Sequence, residues 1–499
     1  MASQKKPPIV TILGHVDHGK TTLLEYILRT YGPTGFRPNL TAREAGGITQ
    51  KVRAFEVTFK GQRLTFIDTP GHEAFTRLRD RGAQIADVAL LIVAAEEGVK
   101  PQTKESLDLL KAYSIPFIVT FNKIDKPSAA PDKIKQQLAE LGVMVEGWGG
   151  DVPCAEVSAL HGQGVEALLD LVLLMSDLRE LSCDPDQPAT GYVLEAVKDP
   201  KKGTLATIVL QNGSLRVGDL LATASTSGKI KFLEDAFGGK PTSAVVSAPV
   251  VVNGFAAPPF SGELFRVVTD ATLKAVQTEL AATEENFSKK VMVGEGEPIG
   301  DYNLVIRADH LGSLEALERI FQAIAETLQV KITIIRADLG PVTQEDVKLA
   351  KGGNVIVLAF NVRTPRDVIE AMQSVRVPFL VSEIIYELEE KLREHIEAKQ
   401  KFGEAKGELA VLAVFGKTSS KKTIGGEVKF GSLRTHNRII IIRPADAAAG
   451  TAETVLGKGK ILTLQQSKNV VGEIEAGKLC GLVIETEVEI AVGDKIIAQ

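Results

Sequence analysis

The chain has 499 residues, 44% hydrophobic and 24% charged, a balance that supports three or four packed domains of roughly 100 to 200 residues and excludes a disordered protein. Its 58 Lys and Arg against 63 Asp and Glu leave a formal charge of −5, so no global basic field marks a nucleic-acid partner and any such contact must use local patches. Cys154, Cys183 and Cys480 are odd in number and far apart, which excludes the close pairs of zinc sites and leaves plain reduced residues as the expectation.

The short basic start, Met1 to Pro8, runs directly into the strand-like Ile9 to Leu13 and leaves no room for a signal-peptide core. The longest apolar runs, such as Val88 to Ala95, are far shorter than the roughly 18 residues of a membrane span. A cytoplasmic protein without membrane contact is expected. Up to residue 182, the strand-like runs Ile9 to Leu13, Leu64 to Asp68, Val88 to Ala94, Phe117 to Asn122 and Val152 to Ser158 alternate with helix-like stretches, with the first helix starting near Thr22. This predicts a doubly wound α/β domain over 1–182.

Residues 183–270 change to short β-rich runs broken by glycines, the texture of a small β-barrel. Over 271–300, Leu273, Val276 and Leu280 predict a short helix followed by a charged linker. Strands and helices alternate again over 301–382, giving a second, smaller α/β domain with no glycine-rich phosphate loop, to which no chemistry is assigned. Ile385, Leu388, Leu392 and Ile396 make one helical stripe, so 383–406 is expected as a connecting helix that leads into the last domain or packs back on the preceding one.

Residues 407–499 are again β-rich and echo the first barrel. Gly213-Ser214-Leu215-Arg216 recurs as Gly431-Ser432-Leu433-Arg434, Gly228-Lys229-Ile230 as Gly459-Lys460-Ile461, and Val217-Gly218-Asp219 as Val492-Gly493-Asp494. Two related barrels are expected.

The chemistry concentrates in the first domain. Gly14-His15-Val16-Asp17-His18-Gly19-Lys20-Thr21 fits a phosphate loop between a strand and a helix that carries Thr22. Glycines let backbone N–H groups close around phosphates, Lys20 can reach the outer phosphates, and the Thr21 hydroxyl can ligate magnesium. Asp68, ending a buried strand ahead of Thr69-Pro70-Gly71-His72, places a carboxylate beside the metal, acting through a bound water, and the Gly71 amide beside the terminal phosphate. In Asn122-Lys123-Ile124-Asp125, Asp125 can accept two hydrogen bonds from the N1 and N2 groups of guanine, a pair adenine lacks, so GTP and GDP are the expected nucleotides. Ser158-Ala159-Leu160, after the next strand, suits the loop beside the guanine O6.

These motifs in this order, with Glu44-Ala45-Gly46-Gly47-Ile48-Thr49-Gln50 between the first two, resemble the translational GTPases. The resemblance implies that Thr49 ligates Mg2+ and senses the γ-phosphate, and that His72 is the catalytic residue that positions the attacking water. Within that family, Glu44 to Gln50, Asp68 to Phe75, Ala86 to Thr103 and Leu304 to Leu317 look like initiation factor 2 more than elongation factors. That likeness covers nearly the whole chain. It implies a monomer that binds both ribosomal subunits, a ribosome-stimulated GTPase activity, and a terminal barrel that holds the aminoacyl end of initiator tRNA.

The chain differs from the family pattern in three places. It starts at the G domain without the variable N-terminal extension, and Tyr31 to Leu40 is extra sequence ahead of the switch threonine, with Gly32, Pro33, Gly35 and Pro38 suggesting a surface loop. In the terminal barrel, Gly426 stands where the family usually has cysteine, and Lys478-Leu479 replace an expected Tyr-Glu before Cys480-Gly481, which puts formylmethionine selectivity in doubt. The basic loop Lys417 to Lys422, with Arg434, Arg438 and Arg443 nearby, is a candidate for contact with tRNA phosphates or else a solvated barrel rim. An elongation-type tRNA carrier is the alternative within the family, disfavoured because such carriers place a second barrel directly after the first. A metabolic phosphotransferase is the alternative outside it, disfavoured by Asn122 to Asp125.

Overall fold

A computed structural model describes residues 4–34, 36, 38, 49, 51–70, 76–199, 201–284, 302–351, 355–375, 377–402, 406–417, 421–444, 454–466 and 469–498. It divides into two compact units, 1–389 and 390–499.

The first unit begins with a six-stranded sheet. Its strands are β1 (Ile9–Gly14), β2 (Arg53–Phe59), β3 (Gln62–Asp68), β4 (Val88–Ala94), β5 (Phe117–Asn122) and β6 (Cys154–Glu156), in the order β2-β3-β1-β4-β5-β6. All pairs are parallel except the β2/β3 hairpin. That hairpin closes at Lys60 and Gly61, both at positive φ (49° and 77°), the backbone a two-residue turn needs to match strand twist.

The helices are α1 (Lys20–Tyr31), α2 (Thr76–Ile85), α3 (Pro101–Ala112), α4 (Pro131–Glu140) and α5 (Val165–Leu178). Strand alternation splits the apolar side chains between two cores. Val88, Leu90 and Ile92 join Leu24 of α1 and Leu169 of α5, whereas Ala89, Leu91 and Val93 join Leu110 of α3 and Leu138 of α4. The first helix starts at Lys20, two residues before the sequence expectation, because Gly19 takes a left-handed conformation (φ 82°) that ends the phosphate-loop turn and opens the helix at once.

A closed six-stranded barrel follows: β7 (Thr190–Asp199), β8 (Gly203–Asn212), β9 (Leu220–Ala222), β10 (Ser227–Asp235), β11 (Pro249–Phe255) and β12 (Leu264–Val268), in the ring order β7-β8-β11-β10-β9-β12. Polar ties fix it to the first sheet. Buried Lys6 bonds Asp87 (2.8 Å) and Gln211 (2.6 Å), and Thr65 donates to the Ser247 carbonyl (2.6 Å). Phe36, from the extra segment, packs edge-on against Phe237 of the barrel at 4.9 Å between centroids.

Helix α6 (Leu273–Glu284) leads toward a parallel sheet of β13 (Tyr302–Ala308), β14 (Ile332–Leu339), β15 (Val355–Phe360) and β16 (Phe379–Ser382), ordered β14-β13-β15-β16. Its helices are α7 (Leu311–Leu328), α8 (Gln344–Ala350) and α9 (Arg366–Ser374). Inside it, Arg307 forks onto Asp346 through two hydrogen bonds (3.0 and 2.8 Å), both residues buried. The division into units falls within α10 (Ile385–Phe402), whose stripe Ile385, Leu388, Leu392 and Ile396 is fully buried.

The second unit is a barrel of β17 (Gly407–Lys417), β18 (Lys421–Arg434), β19 (Arg438–Arg443), β20 (Thr454–Gln466), β21 (Leu479–Glu485) and β22 (Lys495–Ala498). Its pairings close the ring β17-β18-β21-β20-β19-β22, the same order as in the first barrel. The expected relation between the two is present, with one correction. The counterpart of Val217-Gly218-Asp219 is Thr435-His436-Asn437. In each, the third side chain accepts from the backbone N–H three residues back at 2.7 Å, and the middle residue has positive φ. The turn N–H then donates to Ile230 in one barrel and Ile461 in the other. Val492-Gly493-Asp494 instead matches Ser261-Gly262-Glu263, since the N–H of Gly262 donates to Val193 and that of Gly493 to Val411. One turn chemistry is used at two places, and sequence likeness alone joined the wrong pair.

Of the cations expected to meet tRNA phosphates, Lys422 is turned inward, whereas Arg434 and Arg443 stay exposed and pair with carboxylates. Lys422 is buried with its ammonium on the Val488 carbonyl, Arg443 forks onto Asp494 (2.9 and 3.0 Å), and Arg434 pairs with Glu473 (3.0 Å).

Candidate nucleotide site

The site forms at the C-terminal ends of β1, β3, β4 and β5, where an open parallel sheet leaves a crevice. Gly14 leaves β1 at φ 139°, and a β-carbon there would lie 2.3 Å from the Ile92 carbonyl oxygen. Only glycine lets the loop pass so close to β4. A turn of 3-10 helix, Val16–His18, follows, with Asp17 exposed and His18 buried. His18 Nδ1 lies 3.2 Å from the Ile92 carbonyl oxygen, and burial pushes the imidazole down to about 4, so it is neutral at physiological pH. Lys20, at the start of α1, is buried, with its ammonium on the carbonyls of Gly14 (3.0 Å) and His15 (2.6 Å). Thr22 is half-buried in the first turn.

The hydroxyls of Thr21 and Thr49 lie 2.8 Å apart. Asp68 closes β3 fully buried, and the next residue, Thr69, donates to the Ile12 carbonyl of β1 (2.8 Å). The hydroxyls of Thr21 and Thr49 are thus brought together, while Asp68 ends the strand paired beside β1. Gly71 and His72 lie outside the described residues, as does the motif Glu44 to Gln50 apart from Thr49.

At the other end, Asn122 closes β5. It donates to the His18 carbonyl (2.9 Å) and accepts from the Ala159 N–H (3.0 Å), so one buried amide joins the phosphate loop to the loop after β6. Ser158 donates to Asp125 Oδ1 (2.6 Å), and that bond holds the exposed Asp125 carboxyl below its usual range. Asp125 is thus ionised and held in place by Ser158. Lys123 takes a left-handed backbone (φ 64°) and pairs with Glu96 (2.9 Å) and Glu97 (3.2 Å). Burial would raise the Glu97 carboxyl, but the bond and charge of Lys123, together with Lys100 and the other cations nearby, outweigh it and lower it. Leu160 is exposed.

Two groups of contacts were not legible beforehand. Gln102, in the first turn of α3, meets the phosphate loop through Oε1, 2.5 Å from His15 Nδ1 and accepting from the Val16 N–H at 3.1 Å. Arg79, on α2, is buried, bonded to Glu105 of α3 (2.7 Å) and to the Pro70 carbonyl (3.3 Å). Both Gln102 and Glu105 lie one turn apart on α3, a spacing that puts them on one face. Among the described residues, no group of three or more His, Cys, Asp or Glu is placed to hold a metal ion.

The family described as Elongation factor Tu GTP binding domain matches residues 5–177, Elongation factor G domain 2 matches 188–268, and Translation-initiation factor 2 matches 274–393. The fold and this site define the translational GTPase class of proteins. Translation initiation factor IF-2 of Carboxydothermus hydrogenoformans is 40% identical over 99% of this chain and 60% of its own. The factor of the same name from Halothermothrix orenii is 36% identical over 98% of this chain and 71% of its own. The chain belongs to the translation initiation factor 2 family. It spans about half to three-fifths of the length of the first relatives it matches. Among solved structures, GDP-bound aIF5B from Aeropyrum pernix has a TM-score of 0.48 at 25% identity, covering 99% of this chain and 92% of that one. Among the described residues, no helix is long and apolar enough to cross a membrane.

Proposed function

We propose that this chain is a GTP-binding, GTP-hydrolysing switch of translation initiation, acting in the cytoplasm as a monomer. It promotes binding of initiator tRNA to the small ribosomal subunit and joining of the large one, then hydrolyses GTP on the assembled ribosome. The observation that carries this reading is the convergence of Asp125 and Ser158 at one end of the Gly14–Thr21 loop with the Thr21 and Thr49 hydroxyls at the other, in a chain of the initiation factor 2 family.

Chemically, Asp125 accepts from the guanine N–H pair, while Asn122 holds the base-side and phosphate-side loops in register. Lys20 exchanges its two carbonyl partners for phosphate oxygens. The donor set fits Mg2+, which prefers hard oxygen ligands: Thr21 and Thr49 would bind directly and Asp68 through water. The ion neutralises charge on the phosphates when bound. His72 positions the attacking water, and the buried His18 keeps an uncharged ring beneath the loop. The 407–499 barrel is assigned to the acceptor end of initiator tRNA. An α/β domain, and not a second barrel, as the next domain after the first barrel supports an initiation factor over an elongation-type carrier.

GTP turnover measured with the small subunit alone and with both subunits together tests this. Completion of a GTPase site by a partner accelerates hydrolysis on the order of 1,000- to 100,000-fold. Turnover that is the same with and without ribosomes would sink the proposal.

A further inference from the structure

The α/β domain of 302–382 has no phosphate loop of its own, yet one of its carboxylates reaches the first domain. Asp309, between β13 and α7, accepts from Lys51 Nζ (2.8 Å), Asn361 Nδ2 (2.5 Å) and Ser313 Oγ (2.9 Å), and His310 Nδ1 lies 2.9 Å from it as an ion-pair neighbour. The ring of His310 is 2.9 Å from Glu195 of β7 through Nε2, and its backbone bridges Val197 of that strand. The cluster therefore joins three domains. Glu195, Asp309 and His310 are nearly buried, whereas the Lys51 side chain is 33% exposed.

Its charges balance only when Lys51 is present: two carboxylates face one imidazolium and one ammonium. Three donors and the neighbouring imidazole ring hold Asp309, so it serves as an anchor rather than a mobile acid. Lys51 lies two residues after Thr49, and two residues of extended chain reach no more than about 7 Å. Holding Lys51 thus confines Thr49 to a small volume, in which its hydroxyl meets that of Thr21 at 2.8 Å.

We propose that Asp309 and Lys51 are positioning residues for the nucleotide site: the α/β domain holds Thr49 in the place where it reads the γ-phosphate. This rests on the guanine-switch reading above. Only the GTP state uses Thr49, so loss of the tether should weaken GTP selectively and leave GDP alone.

The test measures affinities of the full chain for a non-hydrolysable GTP analogue and for GDP. Lys51→Met is expected to weaken the analogue by about tenfold, in the usual range for coupling between sites, with GDP within about twofold. Lys51→Arg should recover most of the loss. Thr49→Ala should show the same split, and Lys51→Met added to it should cost nothing more. Asp309→Asn should reproduce the split. If that variant fails to fold, Lys51→Met decides alone, because its side chain lies at the edge of the cluster. Equal effects on both nucleotides, no effect, or a further loss in the Thr49→Ala background would overturn the inference. An unmodified chain that binds neither nucleotide would overturn the guanine-switch reading itself, and this inference with it.

Discussion

Replacing Asn122 with alanine should damage the protein even when no nucleotide is bound. Its amide makes two buried hydrogen bonds, to the His18 carbonyl at 2.9 Å and from the Ala159 N–H at 3.0 Å. Truncation leaves two backbone groups without partners in a site water reaches poorly. Each such orphan costs about 1 to 3 kcal/mol, so a total of about 3 kcal/mol is expected once some relaxation is allowed. For a domain of about 150 to 250 residues, 1 kcal/mol moves the midpoint by about 2 to 4 °C. The nucleotide-free variant should therefore melt roughly 6 to 12 °C lower in the transition that nucleotide shifts upward in the parent. Differential scanning calorimetry of both, with and without GDP, measures this. An unchanged nucleotide-free transition together with lost GDP affinity would refute the reasoning, because it would make Asn122 a ligand contact and not a tie between loops.

Asp125→Asn should move preference from GTP toward xanthosine triphosphate, since an amide donates where the carboxylate accepted; unchanged preference in a competition assay would contradict the base-reading role. His72→Ala should lower ribosome-stimulated hydrolysis by roughly 100- to 10,000-fold with nucleotide affinity nearly intact, and a matching loss of affinity would assign His72 to structure. His310 supplies a pH dependence. Burial alone would lower its pKa, but Glu195, then Asp309, outweigh burial and hold it at about 9. Its folded value thus lies above the ordinary 6.5, so its stabilisation is complete below about pH 6.5 and is lost as pH rises through 9. Thermal midpoints should fall across that window, and His310→Gln should be lower at pH 6.5 and flatter above it.

What the sequence made legible was what local chemistry encodes. The phosphate loop, the Asn122–Asp125 run and the Ser158 loop each sit at the end of a buried strand, where the sheet brings them together. The two barrels could be read from glycine-punctuated alternation, and the four-residue stripe of α10 from its spacing. Contacts between distant segments were not legible. Gln102 lies 86 residues from the backbone N–H it accepts from, and nothing in its own neighbourhood marks it. Lys422 read as a surface cation because sequence shows charge but not the Val488 carbonyl that takes it up. The misplaced Val492 repeat has a related cause: Asp and Asn at the fourth turn position satisfy the same N–H, so residue identity drifts between true counterparts and coincides between unrelated turns.

The same distinction governs Gly426. Where the family usually has cysteine, this glycine sits on β18 opposite Cys480 of β21 and Val411 of β17. A β-carbon there would lie 2.4 Å from the Ala410 carbonyl oxygen and 2.5 Å from Leu409 Cδ2. The leucine can rotate, but the carbonyl belongs to a paired strand and cannot move alone. Gly426→Cys should therefore not simply restore a family pocket. It should push β17 from β18 and destabilise the second unit by roughly 1 to 3 kcal/mol, the usual cost of overpacking. Chemical denaturation of the variant would measure that loss, and titration with formylated and unformylated initiator tRNA would follow the pocket. A variant as stable as its parent, with a gained formyl preference, would show that the strands adjust and that the glycine is a free choice of specificity. A destabilised variant with unchanged preference would show that close approach of the strands, and not ligand choice, requires glycine at 426.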